Sequence, residues 1–409
     1  MSQLGWIDFS PDERDKVNNV LAMLSEPGTL DELGIGQIRD AYADALFPGI
    51  STIQTRAKYF ITIPRIIRDY QELPPAKKKQ GLGQYMKERE NEIAQVLASY
   101  EDGEKGIIGL TRIHSGGVER RPSIIYWNGL RTFGILKKNG SFADYCRAMD
   151  AMPSHTSMEL AETAEGNDDK QSRHTNLVNL PDRPIDWMRR DTLSLKLSEK
   201  EAVFLKGKLI ETPNIQHSLP SQLFLHDLVD KAIELDSFDQ LAKLVLSDNN
   251  ISAECKENTQ LANEFSLAIE GAHIRYNILA ARNNSANDAV AIYEKEYETW
   301  KKQVDGLRLF NNVSADRWLS IFAGGTNHSL NSRTRGFVID FCRLQHTNSP
   351  LVELDKMIEK QAIENKGARS LLKKKINREG WIWIGIRRLD YRWGSAKIIL
   401  QDIRGGLNA

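Results

Sequence analysis

The residues best placed to do chemistry in this chain lie in its last 44 positions. Lys373, Lys374, Lys375 and Arg378 form one basic run, and Arg387, Arg388, Arg392 and Lys397 follow. Trp381, Trp383, Tyr391 and Trp393 are interleaved among them. Ammonium and guanidinium groups neutralise phosphates, and indole rings offer flat faces on which bases stack. The pattern predicts a contact with single-stranded or distorted nucleic acid. The competing reading puts the tryptophans in a core and leaves the cations on a solvated or partner-facing edge.

A second constellation sits on a long helical segment. Phe265, Ile269, Ala272, Tyr276 and Leu279 make one apolar stripe, and Leu267, Ile274 and Ile278 make another. Between them runs a polar seam of Ser266, Glu270, His273 and Asn277. A helix apolar on both flanks is buried, so its seam lines an interface or a cleft. Glu270 and His273 stand at i, i+3. That spacing serves an acid–base pair in a nuclease-like hydrolase, or one helix of a di-iron site. The chain has no second Glu-x-x-His, so no metal is expected. A satisfied buried hydrogen-bond network is the reading that asks least of the seam.

These groups need elements to hold them. Ser10, Thr29, Ser51, Ser141 and Ser198 read as helix N-caps, each followed three residues later by an acidic residue or glutamine. Residues 37–63 then outline a helix-turn-helix around Pro48-Gly49, with Gln54 and Lys58 among the polar residues of its second helix. Those side-chain types read base edges or meet phosphates. Residues 123–150 repeat the outline. Ile107 to Ile113 reads as a short strand, Trp381 to Ile386 as a short strand or a tryptophan-bearing loop, and Arg369 to Arg378 as a basic helix. Helical patterns dominate from 184 to 365.

Charge is sorted along the chain although it cancels overall, with 55 basic and 55 acidic residues. The first 49 residues carry 3 basic against 9 acidic, and the last 44 carry 11 against 3. A basic end on a neutral protein points to a polyanion or an acidic partner surface. No apolar run approaches the ~20 residues of a membrane helix. The start, Met1 to Trp6, lacks the features of a signal peptide. Three isolated cysteines fit a reducing cytoplasm. Phosphate-binding glycine loops, nucleophile elbows and His-Glu-x-x-His are absent from the sequence.

Several stretches together resemble a known family. They are Gly5 to Ser10, Glu26 to Gly34, Leu46 to Gly49 running into Ser51 to Ala57, Arg121-Pro122-Ser123 with Tyr126-Trp127, Glu270 to Asn277, and Leu389 to Trp393. The chain resembles an uncharacterised bacterial family of about this length. Its members occur beside phage-defence genes, often near a helicase bearing a phospholipase-D-like nuclease domain, as in Azaca-type systems. The resemblance implies a role in antiviral defence and carries no catalytic residues with it.

The expectation is therefore a mainly α protein with short strand or hairpin elements near 107–118 and 381–393. Its modules follow chain order: 1–150, a linker at 151–183, a helical domain at 184–365, and a basic aromatic segment at 366–409. It would be a cytoplasmic, non-catalytic subunit that binds nucleic acid, in the first place DNA, through the C-terminal cations and tryptophans with Gln54 and Lys58. A partner helicase or nuclease would do the chemistry. No cofactor and no membrane are expected. The alternatives are a hydrolase using Glu270 and His273, or a pure protein–protein scaffold.

Overall fold

Apolar residues at three- and four-residue spacing, punctuated by serine caps and glycine stops, make this a helical protein. The computed structural model describes residues 31–74, 77–78, 80–99, 105–109, 120–151, 177–323, 329–375 and 381–409. In chain order the first helices are α1 (Gly36–Leu46), α2 (Tyr59–Glu72), α3 (Leu82–Ala98), α4 (Pro122–Thr132) and α5 (Phe142–Asp150). Next come α6 (Glu199–Glu211), α7 (Leu219–Leu225), α8 (Val229–Ala232), α9 (Phe238–Ser247) and α10 (Ala253–Asn283). The last are α11 (Asn287–Gly306), α12 (Ser314–Leu319), α13 (Ser332–His346), α14 (Leu351–Lys366) and α15 (Trp393–Leu407). The described residues contain no sheet, only an isolated bridge between Leu136 and Leu177. No helix among them is long and apolar enough to cross a membrane.

The caps read at Ser141 and Ser198 are capping boxes in the structure, closed by Asp144 and Glu201. The one read at Ser51 is not a helix start. Residues 51–58 form turns, and α2 begins at Tyr59 and runs through Pro64. Asp402 serves that entry instead. It accepts the Ala57 N–H at 2.8 Å and pairs with Arg56 at 2.9 Å. Over 369–375, the described part of the basic helix expected from Arg369 to Arg378, there are instead two short 3-10 turns, Gly367–Arg369 and Leu371–Lys373. Gly367, at φ 58°, stops α14, a conformation that costs glycine least. The strands expected at 381–393 and 107–109 are irregular backbone and turns. Residues 110–118, Arg378, and the caps at Ser10 and Thr29 lie outside the described residues.

The chain divides into two compact units that interleave along the sequence. The first takes residues 31–42 with Gln260–Leu389, the second Ala43–Thr259 with Asp390–Ala409. The modules expected from sequence follow chain order instead, and the segment 366–409 is shared between the units. In the first unit Trp300 lies against the long helix α10, its indole N–H donating to the Leu267 carbonyl at 2.7 Å. Gly271 makes room for it, since a Cβ there would stand 2.2 Å from the ring. Arg275 pairs with Asp355 at 2.6 Å and lies over the Tyr297 ring. In the second unit α2 is the buried axis, with Ile61, Ile63, Ile66 and Ile67 inside. Gly406 lets α15 approach Leu197 and Ala202 of the α6 entry.

Candidate nucleic-acid interface

The C-terminal segment reaches its position through the seam on α10. In the first unit the stretch from Ile384 to Leu389 lies against that helix, and each seam residue holds one point of it. The Asn277 amide donates to the Ile384 carbonyl at 3.0 Å, and its oxygen accepts the Ile384 N–H at 2.8 Å. Ser266 Oγ accepts the Leu389 N–H at 2.9 Å and donates to the Leu389 carbonyl at 3.4 Å. Between them His273 faces the Arg387 backbone carbonyl, and Glu270 pairs with Arg388 at 3.3 Å. The strap runs antiparallel to the helix, and its backbone finds side chains instead of a neighbouring strand.

This clasp uses much of what the sequence offered as an interface. Arg388 is held by Glu270 and by the Asn263 side chain at 3.3 Å. Arg387 pairs with Glu296 at 3.3 Å and its guanidinium lies 4.2 Å from the centre of the Trp383 ring. Tyr293 meets the same ring edge-on at 5.3 Å. Trp381 and Trp383 are half-buried. Lys375 is exposed, its ammonium on the Asn283 carbonyl. Lys373 and Lys374 are exposed, as is Arg369 beside them. Among the described residues, no carboxylate pairs with any of these three. The segment thus carries exposed cations at 369–375 and two half-buried indoles at 381 and 383.

The chain belongs to the family of unknown function DUF6361. The family matches residues 1–405. No curated protein and no solved structure matches the chain.

Four of the residues nominated as contacts are structural in this DUF6361 chain, all of them in the second unit. Trp393 is 1% exposed, stacks on Phe47, and donates its indole N–H to the Leu235 carbonyl at 3.1 Å. Arg392 pairs with Asp44 and donates to the Ile50 carbonyl at 2.9 Å. Tyr391 and Arg392 both take positive φ, 49° and 70°, which turns Tyr391 edge-on to Phe238 before α15 starts. Gln54 is buried and donates to the Gly49 carbonyl at 3.0 Å. Lys58 is buried and paired with Glu201 at 2.7 Å. None of them presents a face to a nucleic acid. The helix-turn-helix pattern misled because the polar face of α2 turns into its unit, where Glu201 meets it.

The Glu270/His273 pair has the same kind of answer. Burial drives the His273 imidazole down to about 4, so it is neutral at pH 7. Burial also raises Glu270, and Arg388 opposes that. A general base must reach the proton it takes. His273 is 5% exposed and lies under the strap, and Glu270 is paired with the Arg388 side chain, so the pair holds the strap rather than substrate. The sequence marked the seam as polar and interior. It gave no sign that the partner would be the basic segment itself. It also passed over Arg65 and Arg68, whose signal was available: two arginines one turn apart among four isoleucines.

Proposed function

We propose that the chain is a non-catalytic binding subunit of an antiviral defence complex, with nucleic acid held on the edge formed by Arg369, Lys373, Lys374 and Lys375 beside Trp381 and Trp383. The partner helicase or nuclease performs the chemistry. The observation that carries this reading is the run of exposed cations with no carboxylate partner among the described residues, followed along the chain by two half-buried indoles. Cations in that setting neutralise phosphate, and the rings accept an unpaired base. The defence setting rests on the resemblance in sequence, and the preference for a binding role rests on the commitment of Glu270 and His273 to the strap.

The test is fluorescence anisotropy of single- and double-stranded DNA with the purified chain across a salt series. Reversing Lys373, Lys374 and Lys375 to glutamate removes three phosphate contacts. The log–log salt slope should flatten by about 2 to 3. Unchanged affinity in the triple variant, or no DNA binding by the wild type, rejects the reading. Binding only to an acidic partner protein would make the same edge an assembly surface.

A further inference from the structure

The second unit holds a stretch that the sequence leaves without negative charge. From Arg120 to Ala143 it carries Arg120, Arg121, Arg131, Lys137 and Lys138 and no carboxylate. Among the described residues none of these five makes an ion pair, whereas Arg56, Arg183 and Arg404 of the same unit are all paired. Arg121 is turned to structure, donating to the Gly83 carbonyl at 3.2 Å and lying over the Phe142 ring. The others face outward. Arg120, Ile124, Asn128 and Arg131 stand at i, i+4, i+8 and i+11, one line along α4. The first three are exposed, Ile124 at 52%, and Arg131 is half-exposed.

The end of α4 gathers further charge from other elements. Thr212, at the close of α6, donates to the Phe133 carbonyl at 3.1 Å, so α6 ends beside the last turn of α4. The bridge between Leu136 and Leu177 fixes the backbone that leads into Lys137 and Lys138. The Asn139 side chain accepts from Arg131 at 3.4 Å, and the Lys138 ammonium lies 5.7 Å from the centre of the Tyr145 ring. On α6, Lys208 lies over Phe204 at 5.6 Å. Burial holds that ammonium below its ordinary range, with Glu211 opposing and Lys137 adding, so the two lysines feel each other's charge. Rings and amides orient these cations without neutralising them. Asp144, the first carboxylate after the stretch, is committed to the α5 cap and to Arg147. Glu211 is left to answer Lys208.

We propose that Arg120, Arg131, Lys137, Lys138 and Lys208 form a second contact surface, in the second unit, for the phosphate backbone of a nucleic acid. Arg120 and Arg131 alone stand about 16 Å apart along the helix. Cations spread over a ledge of that length, with no pocket between them, suit a partner that repeats its charge. Each phosphate met by such a cation releases a counterion, so a polynucleotide gains from every contact. A folded acidic protein would meet the same cations in exposed ion pairs, which contribute little each. Contacts of this kind fix position on the backbone and carry no sequence preference. The inference extends the binding role proposed above to the second unit and takes nothing from residues 369–383.

The experiment is fluorescence anisotropy of labelled DNA, single- and double-stranded, with the full chain across a salt series. Lys137→Glu, Lys138→Glu and Lys208→Glu together should lower the log–log salt slope by about 2 to 3. Joined to the reversal of Lys373, Lys374 and Lys375, they should lower it by about 4 to 6. Lys243→Gln, taken from an exposed pair with Asp239 at 2.6 Å, should keep the wild-type slope. Should the triple variant not fold by thermal unfolding, Lys137→Gln with Lys138→Gln decides, with a fall of about 1 to 2. An unchanged slope overturns the inference, and the edge at Lys373 to Lys375 then stands if its own variant loses affinity. The opposite pattern supports this surface and rejects that edge. A wild type that binds no DNA removes both, and binding to an acidic protein alone does the same.

Discussion

Both units bury polar side chains on an otherwise apolar helix, and they settle the cost in different ways. On α10 the seam meets backbone. Asn277 and Ser266 each exchange a donor and an acceptor with one residue of the strap, and Glu270 meets one arginine. On α2 the partners are charges, and one carboxylate, Glu201, serves two cations. A peptide group brings one donor and one acceptor, so a neutral clasp can balance itself. An ionic network balances only when its charges do, and here one carboxylate answers two buried cations.

The ionic network gives the largest test of that difference. Glu201→Gln leaves Lys58 and Arg65 buried without their counter-charge while keeping an oxygen for the α6 capping box. Removing one partner of a buried pair costs about 3–5 kcal/mol. Denaturant unfolding should show a loss in that range. A loss below about 1 kcal/mol would mean that water relaxes the network.

The two units should also respond to pH with opposite sign. In the second unit Glu90 is 3% exposed, lines a cavity of about 10 Å³, and sits at the start of α4. It accepts the Ser123 N–H at 2.5 Å and the Ser123 hydroxyl at 3.2 Å. Burial nevertheless lifts it from 4.5 to about 7, with Arg121 and the Ser123 hydrogen bonds opposing. The folded state then holds a proton that the unfolded chain has released, so stability falls as pH rises from about 4.5 to 7. His273 does the reverse. The unfolded chain takes up a proton near 6.5 and the folded one near 4, so stability falls as pH drops through that window. Each effect is on the order of 3 kcal/mol at its limit. Glu90→Gln should remove the first slope and His273→Gln the second, read by unfolding at closely spaced pH values. Equal slopes in wild type and both variants would show that neither group titrates with folding.

Much of this was legible in the sequence, for particular reasons. The seam on α10 stood out because four polar residues at helical spacing cannot face water while both flanks are apolar. Its partner did not, because a strap 107 residues away in sequence carries no local signature of the helix it will lie on. The caps at Ser141 and Ser198 were plain, since each is set by residues three apart. The entry to α2 was not, because Asp402 replaces a local cap from 345 residues away. Trp393 looked like Trp381 and Trp383 by composition. Two consecutive left-handed residues before α15 put it in the core, and nothing in the side-chain pattern announces that turn.

The neutral clasp can be tested by itself. Asn277→Leu removes both bonds to Ile384 and leaves its peptide groups buried and unpaired, a loss of about 2–3 kcal/mol. Near-wild-type unfolding of this variant would mean the strap is held by its apolar contacts, Ile384 and Leu389, and that the seam is incidental.

The smallest effect separates the strap's backbone from its side chains. Only the Arg387 peptide carbonyl faces the clasp. Its guanidinium is outside, paired with Glu296 and lying over Trp383. The side chains of that ion pair are 49% and 32% accessible, a setting in which such pairs contribute about 0–1 kcal/mol. Arg387→Gln should therefore unfold within about 1 kcal/mol of the wild type while uncovering one face of the Trp383 ring. If that ring is a stacking surface, the variant should keep or gain affinity for single-stranded DNA at high salt, where the lost charge matters least. A stability loss of several kcal/mol would instead make the arginine–indole stack part of the clasp, and Trp383 would pass from the interface to the core.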